Sequence, residues 1–221
     1  MVTLFLLLAV ADSSEVRTYR VELDRETKVP ETVAAAVRKE LDTVCLRVKD
    51  PEGTVRAELW WSRFVAVEAS DEQIANGLTY AELPTGTLLG VIRLPEAITD
   101  YRKQQIPAGV YTLRRASQPP TGDHLGTAPY GDFALLCAVD EDRQPETIEM
   151  KTLVERSSKI NDSHPTVLLL FPGDKDATER PKMLDKGKGH WVLFVRLPAR
   201  TVRKKSVLPL GLTLVGESAA R

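Results

Sequence analysis

The sequence IPAGVYTLRRASQPPTGDHLGTAPYGDFALLCAVD, residues 106–140, decides the fold of this chain. It predicts one strand at residues 110–115, a long loop at residues 116–132 and a second strand at residues 133–139. Both strands carry apolar side chains on both faces, which is typical of strands at the centre of a sheet. We therefore expect them to lie in the middle of the fold, joined by a loop of unusual length.

A hairpin upstream of this stretch predicts a sheet that exposes one face to solvent. Strands at residues 43–49 and 54–61 flank the turn Asp50-Pro51-Glu52-Gly53, whose residue types fit a type I turn. In the second strand the apolar side chains point to one face and the charged ones to the other. Trp60 falls on the charged face, and we expect it to be exposed.

Alternation and apolar runs predict the remaining elements. Helices are expected at residues 30–41 and 147–158, a capped helical turn at residues 70–73 and a polar loop at residues 172–189. Gly90 predicts a bulge or a close backbone approach inside its strand. Further strands are expected at residues 17–23, 64–68, 87–94, 167–171, 190–197 and 207–215. This spacing favours an all-β fold: a single antiparallel, jelly-roll-like β-sandwich domain with one or two short helices.

Size and charge limit the functions that are possible. The chain has 221 residues, of which 43% are hydrophobic, enough for an ordinary core. Its 30 Lys and Arg are matched by 31 Asp and Glu. The basic excess that supports nucleic-acid binding is therefore missing, and we expect no nucleic-acid partner. The short basic run RTVRKK at residues 200–205 is interpreted as a solvated turn, with partner binding as the alternative.

The N-terminus has the pattern of an export signal. Residues 1–11, MVTLFLLLAVA, carry no charge and end in Ala-x-Ala, the pattern that signal peptidase recognises. The run is too short to span a bilayer, which takes about 20 residues. We predict a signal peptide at residues 1–11 and one domain at residues 12–221. The expected location is the periplasm or cell envelope, without a membrane span, and a buried N-terminal strand is the alternative.

The chain has two cysteines, Cys45 and Cys137. Export would allow a disulfide between them. Strand phase places Cys45 on the same face as Arg47 and Lys49, whereas Cys137 lies in an apolar strand, where a thiol behaves as a small hydrophobic group. We predict two free cysteines. Because no Cys-x-x-Cys pattern occurs, we expect no structural zinc site.

The segment LPTGTLLGVIRLPEAITDYRKQQIPAGVYTLRRASQPPTGDHLGTAPYGDFALL, residues 83–136, resembles an uncharacterised family of exported bacterial proteins with no assigned activity. The pieces SHPTVLLLFP, GHWVLFV and LPLGLTLVG are similar to the same family, so the resemblance covers most of residues 80–216. IPAGVYTLR is also similar to a broader group of bacterial β-sandwich domains of unknown function. The resemblance implies export and an all-β fold, and it implies no mechanism.

The loop at residues 116–132 holds the densest group of polar side chains suited to binding: Gln118, Asp123, His124, Tyr130 and Asp132. Its prolines and glycines favour a fixed shape that presents these groups to a small molecule, a glycan or an envelope protein. The alternative is an Ω-like loop whose polar groups satisfy only its own backbone. We therefore predict an exported binding or envelope-associated protein rather than an enzyme.

A metal site is the second hypothesis. The chain has three histidines, His124, His164 and His190. Imidazoles that converge on one rim bind Zn²⁺ or a similar divalent ion, with Asp123 or Asp132 beside them. No His-x-His or His-Glu-x-x-His spacing fixes two ligands at once, so the spacing does not require such a site. A metal-binding protein or metal-dependent enzyme is thus the alternative function, and otherwise we expect no cofactor.

Overall fold

A computed structural model describes residues 18–118, 128–173 and 179–218 of the chain. The strands are β1 Arg20–Asp24, β2 Cys45–Lys49, β3 Val55–Trp61, β4 Val65–Ala66, β5 Leu88–Leu94, β6 Ile98–Thr99, β7 Gln105–Ile106, β8 Gly109–Ser117, β9 Asp132–Ala138, β10 Val167–Phe171, β11 Lys182–Asp185, β12 Trp191–Arg200 and β13 Lys205–Val215. The helices are α1 Ala35–Glu40, α2 Asp71–Asn76 and α3 Met150–Ser158, with a 3-10 turn at Tyr80–Glu82. The all-β class is confirmed, although these ranges contain three short helices rather than one or two.

One large sheet of 11 strands dominates the fold, in the order β1-β2-β3-β5-β8-β9-β10-β13-β12-β11. Its pairs are antiparallel except that β4 lies parallel to β12. β8 and β9 occupy the middle of this path, and their register runs without a shift from Tyr111 opposite Ala138 to Ser117 opposite Asp132. The prediction that these two strands lie at the centre is confirmed. β6 and β7 form a separate two-stranded hairpin.

The predicted hairpin is β2 and β3. Its turn closes with a hydrogen bond from the Gly53 N–H to the Asp50 carbonyl at 3.0 Å, and Gly53 has a φ of 91° that favours glycine. Both expectations for Gly90 are confirmed. The β5–β8 register shifts between Leu88 and Gly90, and a Cβ on Gly90 would overlap the carbonyl oxygen of Trp60.

β10 pairs with one strand on each side and changes partner along its length. Its residues 167–169 pair with β9, whereas Leu170 and Phe171 pair with β13. Cα atoms of the edge strands β1 and β11 come within 8 Å of each other. The curled sheet therefore wraps one main core, to which its strands contribute their inward side chains, among them Leu59, Ile92, Leu113, Leu136, Leu170, Leu193 and Leu210.

Helices cover parts of the outer face of the sheet. Trp60 packs with Val37 of α1 and is fully buried, so the prediction that it is exposed is wrong. Alternation shows which face a side chain occupies, but not whether a helix covers that face. α3 covers Cys137 through Leu153. Cys45 and Cys137 are both free, as predicted, and burial raises the pKa of each thiol to about 12.

The structure differs in extent from two expectations, the loop at residues 172–189 and the helix at residues 30–41. The polar stretch at residues 172–189 contains β11, whose Met183 enters the main core, so the loop interpretation is wrong for this part. The helix expected at residues 30–41 is confined to α1, which is preceded by a turn in which the Val33 N–H donates to the Pro30 carbonyl. α2 begins as predicted, because Ser70 forms a capping box with Gln73.

A buried charged cluster fastens the segment before α3 to the sheet. Arg114 of β8 and Asp142 are fully buried, with Nε to Oδ2 at 2.6 Å and Nη2 to Oδ1 at 3.0 Å. Thr112 and Arg156 also donate hydrogen bonds to Asp142. The remaining N–H groups of the Arg114 guanidinium donate to the backbone carbonyls of Gly86, Gln144 and Glu146. Every N–H donor of the Arg114 guanidinium is therefore satisfied, which gives the cluster a structural role.

Candidate functional site

The base of the predicted loop lies where β8 ends and β9 begins. Three of the five binding candidates are described: Gln118, Tyr130 and Asp132. The other two, Asp123 and His124, lie outside the described residues. The Gln118 N–H donates to the carbonyl of Gly131 at 2.7 Å, and the Tyr130 ring meets the edge of Phe171 at 5.0 Å between centroids. The three described candidates thus share one end of the central strand pair.

Asp132 is held in an ion pair. Its Oδ1 lies 2.8 Å from Nη2 of Arg115, a residue that is only 8% exposed. Nη1 of Arg115 donates to Oγ1 of Thr85 at 2.6 Å. A carboxylate that already accepts from a guanidinium has less of its charge left for a ligand. Asp132 therefore ties the start of β9 to Arg115 of β8.

The two described histidines occupy different surroundings. His164 is exposed just before β10. His190 is half-buried before β12, where its ring lies 5.8 Å from that of Tyr101 and 6.2 Å from that of Phe171. Its Nδ1 is 3.2 Å from the Gly187 carbonyl. Within residues 18–118, 128–173 and 179–218, no group of three His, Cys, Asp or Glu is placed to hold a metal ion. His124 lies outside those ranges, so the three-histidine hypothesis stays a prediction.

A cleft of about 380 Å³ opens at the opposite end of β8, where the β6–β7 hairpin approaches β3, β5 and the end of β13. Four side chains of the main core form its floor: Val48, Ala57, Leu94 and Leu214. Polar groups surround the entrance: Tyr19, Arg56, Thr99, Gln105 and Glu217. Ala97 and Ile98 complete one wall. The cleft therefore combines an apolar interior with a polar rim, as small-molecule sites do.

The rim carries one cation in a replaceable ion pair. Nη1 of Arg56 lies 2.6 Å from Oε2 of Glu96, and the two side chains are 35% and 62% exposed. An exposed pair of this kind contributes little stability, about 0–1 kcal/mol, so a bound anion can compete with Glu96 for the guanidinium. Burial raises the pKa of Tyr19, although Arg56 opposes the rise, so its phenol stays a neutral donor at neutral pH.

Sequence reasoning missed this cleft. Its rim residues come from distant parts of the chain, and they meet only because β1, β3 and the end of β13 converge. The β6–β7 hairpin that forms one wall has strands of two residues each, too short for alternation to reveal. The available clue was Ala57, a small residue on the inward face of a strand that otherwise presents Leu59 and Trp61 to the core.

The chain was compared with known protein families, with curated proteins and with solved structures, and none of them matches it. The family resemblance described above therefore stays a prediction. No helix in the described part of the chain is long and apolar enough to cross a bilayer.

Proposed function

We propose that this protein is a non-enzymatic binding protein that holds a small amphipathic molecule in the cleft at the β6–β7 hairpin. The observation that carries the proposal is the floor, formed by side chains of the main core beneath an open, polar rim. The volume of the cleft, about 380 Å³, lies within the range of about 300–1,000 Å³ that is usual for ligand sites in proteins.

The rim indicates the chemistry of the ligand. An apolar portion would lie against Leu94 and Leu214, where it displaces water from side chains of the core. An anionic group at the other end of the ligand would meet Arg56, in place of Glu96. Tyr19 and Gln105 offer further hydrogen bonds. The ligand class is therefore a small organic anion with an apolar body, such as a carboxylic or sulfonic acid.

The wider setting is part of the same proposal. Export to the periplasm or cell envelope rests on the N-terminal pattern of residues 1–11. The finer architecture that we propose is a β-sandwich, in which the two parts of the sheet that meet at β10 face each other across the main core. Support comes from the switch of β10 between partners and from the inward side chains of both parts in one cluster.

Binding of two fluorescent probes tests the proposed cleft. Anilinonaphthalene sulfonate is an apolar anion, and Nile red is apolar and neutral. Ala97 is an exposed cleft residue, so Ala97→Trp obstructs the entrance without entering the core. We expect Ala97→Trp to weaken the binding of both probes about tenfold or more. Arg56→Gln should weaken binding of the anionic probe about tenfold, because a hydrogen bond to a charged group contributes about 1.5–3 kcal/mol. The same variant should change the affinity for Nile red little.

Arg196→Gln is the matched control, because Arg196 is an exposed arginine of β12 that does not line the cleft. It should leave both affinities unchanged. Unfolding midpoints of all variants show that each remains folded. Probe binding that survives Ala97→Trp in a folded protein would place the binding elsewhere and overturn the proposal.

A further inference from the structure

A second surface lies away from the cleft, at the β12–β13 turn. Three apolar side chains are exposed there: Phe64 at 41%, Val202 at 105% and Val207 at 37%. Five exposed basic residues accompany them: Arg63, Arg200, Arg203, Lys204 and Lys205. We call these eight residues the basic tip. Phe64 joins the turn because β4 pairs in parallel with the end of β12, Val65 lying opposite Ala199.

The apex of the basic tip is held in shape by its own hydrogen bonds. The Thr201 N–H donates to the carbonyl of Lys204 at 2.9 Å, and Oγ1 of Thr201 accepts from the N–H groups of Arg203 and Lys204 at 3.2 and 3.0 Å. Val202 stands between these anchored residues with its side chain fully in solvent. The turn therefore presents an aliphatic side chain to solvent in a fixed position, together with the exposed Phe64 and Val207.

Two charges of the basic tip lie beside its Phe64 ring. The guanidinium carbon of Arg200 lies 5.5 Å from the centre of the Phe64 ring, and Nζ of Lys205 lies 5.9 Å from it. Among the described residues, Lys204 is the one basic group of the tip that forms an ion pair, with Asp71 at 2.8 Å. Four positive charges therefore remain for a partner, on a chain whose net charge is only −1.

We propose that the basic tip docks on the surface of an anionic lipid bilayer, with Val202 and Phe64 entering the headgroup region. Lys and Arg around an apolar apex match the layered chemistry of that surface, because their charges meet lipid phosphates while the apolar groups reach the acyl boundary. A nucleic acid fits less well, since it offers phosphates but no apolar layer for the aliphatic Val202. This docking does not depend on the proposed cleft ligand.

Vesicle sedimentation tests the docking. The full chain is mixed with vesicles of phosphatidylcholine alone or with phosphatidylglycerol added, and the bound fraction is measured. We expect at least tenfold stronger binding to the anionic vesicles and a loss of binding at high salt. Each basic residue near an anionic surface contributes roughly a fivefold factor in affinity, so Arg203→Gln with Lys205→Gln should weaken binding about 25-fold. Val202→Ser should weaken it about fivefold.

Controls of the same chemistry lie elsewhere on the surface. Lys151→Gln with Arg196→Gln removes two exposed charges outside the tip, and Leu23→Ser removes an exposed apolar side chain of β1 that is 55% exposed. Both should bind vesicles as the unaltered protein does. Equal losses in control and tip variants would refute a specific role for the tip.

A dye at the apex reports insertion directly. Cys45 and Cys137 are buried, so a Val202→Cys variant is labelled selectively at the tip. An environment-sensitive dye there should shift to the blue on anionic vesicles. The proposal is overturned if no shift occurs, or if the tip variants lose binding to single-stranded RNA while anionic vesicles are not bound at all.

Discussion

The buried cluster around Asp142 makes a sharp prediction about stability. Asp142→Ala removes the partner of Arg114, whose side chain, like that of Asp142, is fully buried. Three side chains lose their acceptor at once, those of Thr112, Arg114 and Arg156. Removal of one partner from a buried pair leaves an uncompensated charge, and it typically lowers the free energy of unfolding by about 3–5 kcal/mol.

The size of the effect follows from burial. For a protein of this length, 1 kcal/mol shifts the unfolding midpoint by about 2–4 °C, so Asp142→Ala should lower the midpoint by about 6–20 °C. The pair between Glu22 and Lys49 is as short, at 2.7 Å, but its side chains are 51% and 26% exposed. Lys49→Ala should therefore cost at most about 1 kcal/mol.

Urea unfolding followed by tryptophan fluorescence measures both variants. A third variant, Arg114→Met with Asp142→Leu, replaces the pair by apolar groups and should lose less stability than Asp142→Ala alone. A loss below about 1 kcal/mol for Asp142→Ala, equal to that of Lys49→Ala, would refute the reasoning. It would mean that water or a rearranged segment compensates the charge of Arg114.

Three further predictions concern thiols, a close approach and pH. Because burial raises the pKa of Cys45 and Cys137 to about 12, neither thiol should react with Ellman's reagent in the folded protein, and both should react in urea; rapid reaction of the folded protein would contradict their burial. Gly90→Ala should cost about 1–3 kcal/mol because its Cβ would overlap the Trp60 carbonyl. In Gly131→Ala the nearest atom of the described residues would lie 4.0 Å from the new Cβ, so this variant should cost little, and equal losses would count against the close approach. Burial raises the pKa of Glu82, but hydrogen bonds from Thr79 and Gln73 outweigh this and hold that pKa below its ordinary value. The stability that Glu82 contributes is thus present above about pH 4.5 and is lost as the pH falls, so the deficit of Glu82→Gln in urea unfolding should shrink in acid; a deficit that does not change with pH would refute the assignment.

The elements that were predicted correctly are those that a short stretch of consecutive residues determines. β8 and β9 were recognisable from apolar residues on both faces, and the β2–β3 hairpin from the residue types at 50–53. Ser70 and Gln73 predicted the start of α2, because a capping box is formed by residues that are close in sequence. Each of these features depends on fewer than about ten consecutive residues.

The features that sequence missed depend on distant contacts. The burial of Trp60 depends on α1. The docking that we propose for the run at residues 200–205 depends on Phe64, which β4 brings beside Arg200. The cleft requires Tyr19, Arg56 and the end of β13 to meet, which no local pattern encodes. The two ends of the predicted loop, at Ser117 and Asp132, lie at one end of the central strands, whereas the cleft lies at the other.

We propose that the cleft at the β6–β7 hairpin holds an apolar anion. The most direct test is a crystal structure of the protein with anilinonaphthalene sulfonate bound. We expect the aromatic rings of the probe against Leu94 and Leu214, with the sulfonate within hydrogen-bond distance of Arg56 in place of Glu96. A probe bound at any other surface, with the Arg56–Glu96 pair intact and no probe in the cleft, would contradict this proposal.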